Sequence, residues 1–183
     1  MFKVGIIGDE ASQDFQTVVD MAIEFNLNSI EIRSVWEKAP QELTDQDIDQ
    51  MKQILKDTNV EVIGIASPFY KCDIDNTEER KEHLNILKKC IKLAKAFDVN
   101  LIRTFVFWKI DNIEERWNEI VRSYDEPVRI AESEGIILGM DSPDPNSIYN
   151  ISYGQAVPLE NVATYICEKV GSGSVKVVLN DFE

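Results

Sequence analysis

The sequence predicts an α/β fold, a parallel sheet with outer helices, spanning residues 1–183 as a single domain. Three observations predict it. Short apolar, β-branched segments alternate along the chain with segments whose apolar residues recur every three to four positions. Each interval between strands is long enough to carry the helical crossover that parallel pairing requires. No linker, low-complexity tract or composition shift divides the chain.

The elements follow in order. KVGII at 3–7 is a first strand, bounded by Gly8; Phe15, Val18, Val19, Ala22 and Phe25 then share one helical face. SIEIR at 29–33 alternates as a second strand. Thr44 and Asp47 make a capping-box-like start for a helix that turns Ile48, Met51, Ile54 and Leu55 inward. VEVIGIA at 60–66 is the third strand. Thr77 is positioned to cap a long helix with Leu84, Leu87, Ile91 and Ala94 inside and lysines outside. LIRTFVF at 101–107 is the fourth strand, and Asp111 with Glu114 forms another capping box. Pro127 must kink the helix that follows or begin a second one. IILGM at 136–140 is the fifth strand, followed by the polar loop DSPDPNS. Leu159, Val162, Ile166 and Val170 mark a last helix closed by Gly171, and VKVVL at 175–179 is a sixth strand.

Bulk properties exclude several classes. Hydrophobic residues make up 44% and charged residues 28%, a globular composition. No apolar run reaches the roughly 20 residues that span a bilayer, and no leader pattern precedes the first strand. The formal charge of -14 argues against nucleic acid, whose phosphates would be repelled. Three widely spaced cysteines without a CxxC pair fit reduced thiols, so a cytoplasmic location is expected.

Two architectures satisfy the alternation, an open doubly wound sheet and a closed (β/α) barrel. The first strand–helix turn, GDEASQD, lacks the GxGxxG of a dinucleotide site, and in either architecture function gathers at the C-terminal strand ends. Those ends read GDEASQD, RSVWEK, SPFYKCD, FWKID, DSPDPN and NDFE. Each carries an acid, and several add an aromatic and a cation, the mixture a sugar-sized ligand needs. Glu31 and Arg33 share a face of the second strand and either bind substrate or pair internally; the same choice faces Arg103. Trp36 and Trp108 either stack on substrate or cover the mouth. Lys71 either orients a phosphate or carbonyl or is a solvated loop lysine. His83, the single histidine, lies beside a helix's apolar stripe and reads as structural, and Cys72 is the thiol to test for reactivity.

The segments GIIGDEASQDF, IEIRSVW, IASPFYKCD, IRTFVFW and ERWNEIV…EPVRIAESEGI resemble the xylose-isomerase-like sugar phosphate isomerase/epimerase family, in order from Lys3 to about Leu138. The resemblance implies a TIM-barrel-like (β/α) fold, a divalent metal (Mn2+, Mg2+ or Zn2+) and proton transfer beside a sugar carbonyl. It also implies metal ligands at the later strand ends. Asp141 stands where the family usually has Glu, as candidate ligand and catalytic base, and Ser142 where it has Asn. Asn180 stands where the family has Asp, with Asp181 next to it, completing the candidate metal set. Aspartate ligates a hard cation through oxygen, but its side chain is one methylene shorter than glutamate's. A related endonuclease branch needs several histidines and a basic groove, which one His and a charge of -14 do not supply.

A complete (β/α)8 barrel takes about 250 residues. The expectation is therefore an incomplete barrel of about six parallel strands, either a fragment or a shortened homologue that forms a homo-oligomer to cover its open edges. Two functions follow: a sugar or sugar phosphate isomerase/epimerase, or a non-catalytic partial barrel that binds a sugar-like ligand or a protein partner.

Overall fold

The computed structural model describes residues 5–108, 113–140 and 149–150. Five strands, β1 (Gly5–Ile7), β2 (Ser29–Ile32), β3 (Glu61–Ala66), β4 (Leu101–Thr104) and β5 (Ile137–Met140), pair in chain order and all parallel. Strand order without a reversal decides between the two architectures. A doubly wound sheet doubles back at a switch point, whereas a barrel adds each strand beside the last. Helices α1 (Gly8–Ala11), α2 (Phe15–Glu24), α3 (Asp45–Leu55), α4 (Thr77–Ala96), α5 (Ile113–Ser123) and α6 (Asp125–Ser133) lie in the connections.

The sheet's outer face and the helices make the core. Ile30, Ile32, Ile65, Ile102 and Leu138 point outward from four strands and are buried with Phe15, Val19, Met51, Leu87, Cys90 and Ala131 of the helices. Gly5 is required by close approach. A Cβ there would stand 2.8 Å from both the Cβ and the carbonyl oxygen of Ser29, its register partner on β2. Gly135, at φ 72, gives α6 the left-handed exit that a side chain would oppose.

Several local expectations are corrected. Phe25 is 63% exposed: α2 ends one residue earlier, Asn26 turns left-handed at φ 54, and Leu27 packs against the core instead. The cap of α4 is Asn76, whose side chain accepts from the Glu79 amide at 3.2 Å, so Thr77 is the first helical residue. Pro127 resolves into the two-helix alternative. It lies buried in the first turn of α6, where a missing N–H costs nothing. Residues 111–112 and the proposed last helix and sixth strand lie outside the described residues. The strand that does pair with β5 is β6 (Tyr149–Asn150), two residues long and antiparallel. A strand so short has no readable alternation.

The capping box of α3 forms as expected, with Asp in place of Glu. Thr44 Oγ1 accepts from the Asp47 amide at 3.2 Å, and the Asp47 carboxylate accepts from the Thr44 amide at 2.7 Å. Lys38 Nζ adds two contacts of 2.8 Å. The Lys38 hydrogen bond, then those from Thr44, hold the Asp47 carboxyl down at about 2. Its unfolded value is about 3.9, so this carboxylate stabilises the fold fully above about pH 4, and that contribution is lost as pH falls through its folded value. Asp47→Asn should cost about 1–2 kcal/mol at neutral pH. In urea unfolding followed from pH 7 downward, the difference from wild type should persist to about pH 4 and close towards pH 2.

Candidate functional site

The inner face of the sheet, away from the helices, carries a charged pair in mid-sheet. Arg103 Nε donates to Glu31 Oε1 at 3.0 Å, and Nη2 approaches Oε2 at 3.4 Å. The two residues sit on β2 and β4, with β3 between them. Barrel interiors fill in layers contributed by alternate strands, so a β2–β4 contact is what that layering expects. Gly64 of β3 is the register partner of Glu31, and the Glu31 side chain lies over it; a Cβ there would be in ordinary contact with Glu31 Cγ at 3.6 Å. The side chains of Arg103 and Glu31 are 26% and 21% exposed, open enough to meet a ligand yet dry enough to need each other.

Arg33, two residues beyond Glu31, takes different partners. Its Nε donates to both Asp9 oxygens at 2.9 and 3.0 Å, and Nη1 to Glu10 at 3.1 Å, tying the exit of β2 to α1. The hydrogen bond to Asp9 is the main cause that raises the Arg33 pKa. Trp36 occupies a left-handed turn with Glu37, at φ 53 and 60, closed by the Val35–Lys38 bridge and tied to the preceding loop by Gln13. The Trp36 ring meets Phe15, the first residue of α2, edge-on. Glu31 is therefore joined to Arg103 and not to Arg33, and Trp36 packs structurally.

Lys71 and Trp108 come together at the mouth. Lys71 Nζ stands 5.2 Å from the Phe105 ring centre and 5.5 Å from that of Trp108, the range of cation–π contact. Trp108 is 53% exposed. The loops that carry them are joined by backbone hydrogen bonds beyond the strand ends: Ser67 to Arg103, Phe105 to Phe69 and Trp108 to Cys72. Phe105 follows Arg103 by two residues and so continues the inner face about 7 Å nearer the mouth.

An aromatic cluster braces these loops from outside. Tyr70 stacks on Phe69 and Phe107 and meets Tyr124 edge-on; the Tyr70 hydroxyl donates to Ser123 O at 2.8 Å, and the Tyr124 hydroxyl donates to Phe105 O. Tyr70 and Phe107 are both left-handed, at φ 61, a conformation bulky residues adopt only when their surroundings enforce it. Cys72 is a correction. It is buried, and desolvation pushes its thiol up to about 11, which removes the thiolate a reactive cysteine needs.

Asp141, Asn180 and Asp181 lie outside the described residues. Among the described residues no three His, Cys, Asp or Glu side chains gather as a metal centre requires, and Glu31 is already committed to Arg103. The described inner face does not fit a metal by itself. A separate groove of about 390 Å³ lies in the outer layer, between the Pro40–Glu42 turn, α3 and α4, with Leu43, Ile48 and Leu93 in its walls. The sequence reading missed Gly64 and Phe105. A glycine inside an apolar strand was the available signal for the first, since it marks close approach.

A coupling measurement checks the inner-face pair. A double-mutant cycle with Glu31→Gln and Arg103→Met, read by urea unfolding, should give an interaction energy of about 1–3 kcal/mol.

The family described as "Xylose isomerase-like TIM barrel" matches residues 19–180. No curated protein matches the sequence. Among solved structures, an IOLI protein with a bound zinc atom superposes with a TM-score of 0.61 at 17% identity, over 76% of this chain and 51% of that one. A D-tagatose 3-epimerase-like protein gives 0.59 at 21% identity, over 76% and 52%. A D-psicose 3-epimerase determined in the presence of D-fructose gives 0.56 at 15%, over 75% and 51%. At these identities the likeness is one of fold. The chain spans about half the length of these structures.

Proposed function

This chain belongs to the xylose isomerase-like TIM barrel family, and on that footing we propose that its inner face binds a sugar or sugar phosphate for isomerase or epimerase chemistry. The observation that carries the proposal is the stacking of two layers along β4: the Glu31–Arg103 pair at mid-strand, and Lys71 with Trp108 and Phe105 nearer the mouth. A carboxylate and a guanidinium side by side bind hydroxyls from both sides, as acceptor and donor. Trp108 offers an exposed aromatic face to a sugar's C–H surface, and Lys71, among the described residues, has no carboxylate within 4 Å and is open to an anionic substituent.

Asp141, next in the chain after the end of β5, is the proposed base, removing a proton beside the sugar carbonyl. Arg103 and Lys71 orient the ligand and balance negative charge that develops on the carbonyl oxygen. The divalent metal common in this family is proposed at Asp141, Asn180 and Asp181. When bound it supplies Lewis-acid stabilisation of that oxygen. The described residues hold no such centre, so the binding reading stands without it. Arg33 and Trp36 belong to the rim, supporting the loop that carries them. We further propose a single domain over residues 1–183 and association with a second copy at the sheet edge, where backbone groups seek partners.

The shorter Asp141 side chain favours a second reading, a relative that binds the sugar without turning it over. Calorimetric titration separates the two. Under the enzyme reading, Mn2+ binds saturably, Asp141→Ala abolishes that binding, and a sugar phosphate is converted. Ligand binding without metal or turnover supports the second reading. In both, a sugar phosphate should bind about tenfold tighter than its parent sugar, and Lys71→Met should remove the difference. Equal affinity of phosphate and parent sugar in the wild type would count against the role given to Lys71.

A further inference from the structure

We infer that His83 is a positioning residue for the mouth loop: its neutral ring accepts the Tyr70 amide at Nδ1, and protonation of that nitrogen frees the loop that presents Lys71. His83 lies on α4, and the Tyr70 amide donates to its Nδ1 at 2.9 Å. An amide N–H has only its hydrogen to offer. The bond therefore exists only while Nδ1 carries a lone pair, and a proton there sets donor against donor. The amide it holds belongs to a residue in left-handed backbone, which relaxes when its constraint goes. Lys71 is the next residue in the chain, and its ammonium reaches Phe105 and Trp108 from that backbone position.

The surroundings of the ring set the direction. Burial lowers the His83 pKa from its ordinary 6.5 and is the largest cause; Glu79 and Glu82 on α4 and the Pro68 carbonyl oppose it by favouring the charged ring. On the loop, the Tyr70 hydroxyl and the Cys72 thiol are neutral. Tyr70 is pushed up to about 12 and Cys72 to about 11 by desolvation, with Arg80 of α4 and Glu126 of α6 acting on Tyr70. Phe69 and Tyr70 present rings to the imidazole at 6.4 and 6.5 Å. A native histidine that binds its proton more weakly than the unfolded one contributes stability above the unfolded value, and that contribution is lost as pH falls through the folded value. The latch is therefore closed at neutral pH and opens in acid.

The role of Lys71 in ligand binding rests on the function proposed above; the latch does not. The test needs no ligand. NMR on the whole chain would follow the His83 ring nitrogens, hydrogen exchange at the Tyr70 amide and the Lys71 CεH2 shift, which Phe105 and Trp108 move by ring current. Exchange at Ile65, in mid-strand, reports the fold. In wild type, Tyr70 protection relative to Ile65 should fall at least about tenfold as the ring titrates, the equivalent of about 1.4 kcal/mol, and the Lys71 shift should move with it. His83→Asn, whose amide oxygen replaces the Nδ1 acceptor, should keep protection at both pH values. His83→Leu should lose it at both. The inference is overturned if Tyr70 protection ignores the ring titration, if His83→Asn keeps the wild-type pH dependence, or if Lys71 does not respond when Tyr70 is released. Weak sugar phosphate binding with an intact latch would count against the ligand reading alone.

Discussion

A guanidinium on the inner face of a parallel sheet cannot be left alone, and much of the site follows from how Arg103 is satisfied. Its partner, Glu31, sits two strands away. The contact requires that β2, β3 and β4 lie side by side in chain order, which in-order parallel pairing provides, and the Glu31 side chain crosses β3 over Gly64. The pair links sheet topology to the chemistry of the surface it occupies. Under the proposed function the same side chains form the hydrogen-bonding floor for a polyol.

Above that floor the structure maintains unfavourable backbone. Tyr70 and Phe107 are bulky residues in left-handed conformation, stacked on each other and wedged against Tyr124. Hydroxyl-to-carbonyl bonds from Tyr70 to Ser123 and from Tyr124 to Phe105 draw the α5–α6 junction onto the loops that follow β3 and β4. Strain held by surrounding contacts recurs where a surface must be presented in one shape. Here the shape presented is Lys71 over two rings. On the outer side, Arg116 joins Asp75 of the same loop to α5 through contacts of 2.6 and 3.0 Å, a second tie at the surface.

The fold was largely legible in the sequence because its rules are local. Periodicity placed five strands and the helices between them, and the Thr44–Asp47 box was readable from two residues. The failures were also local in cause. Asn76 and Thr77 are both good caps, and only the backbone tells which stands outside the helix. Phe25 keeps the helical period of α2 but falls after its last turn. Strand order could not be read from alternation, and the family resemblance supplied the barrel that the observed order then bore out. The site was less legible. Each of Glu31, Arg33, Arg103, Lys71 and Trp108 was identifiable as a charged or aromatic residue near a strand end. Which pairs with which was not, because partners two strands apart are separated by 72 residues in the Glu31–Arg103 case. Cys72 misled for the same reason: its position near the mouth is a sequence fact, its burial a tertiary one.

The central claim is that the inner face at the C-terminal strand ends is the ligand surface, and amide and side-chain NMR mapping during titration with a hexose phosphate tests it most directly. The account predicts shifts that begin at Glu31, Gly64, Arg103, Phe105, Lys71 and Trp108 and saturate together. Shifts confined to Leu43, Thr44, Ile48 and Leu93, in the groove between α3 and α4, would place binding in the outer layer and contradict it.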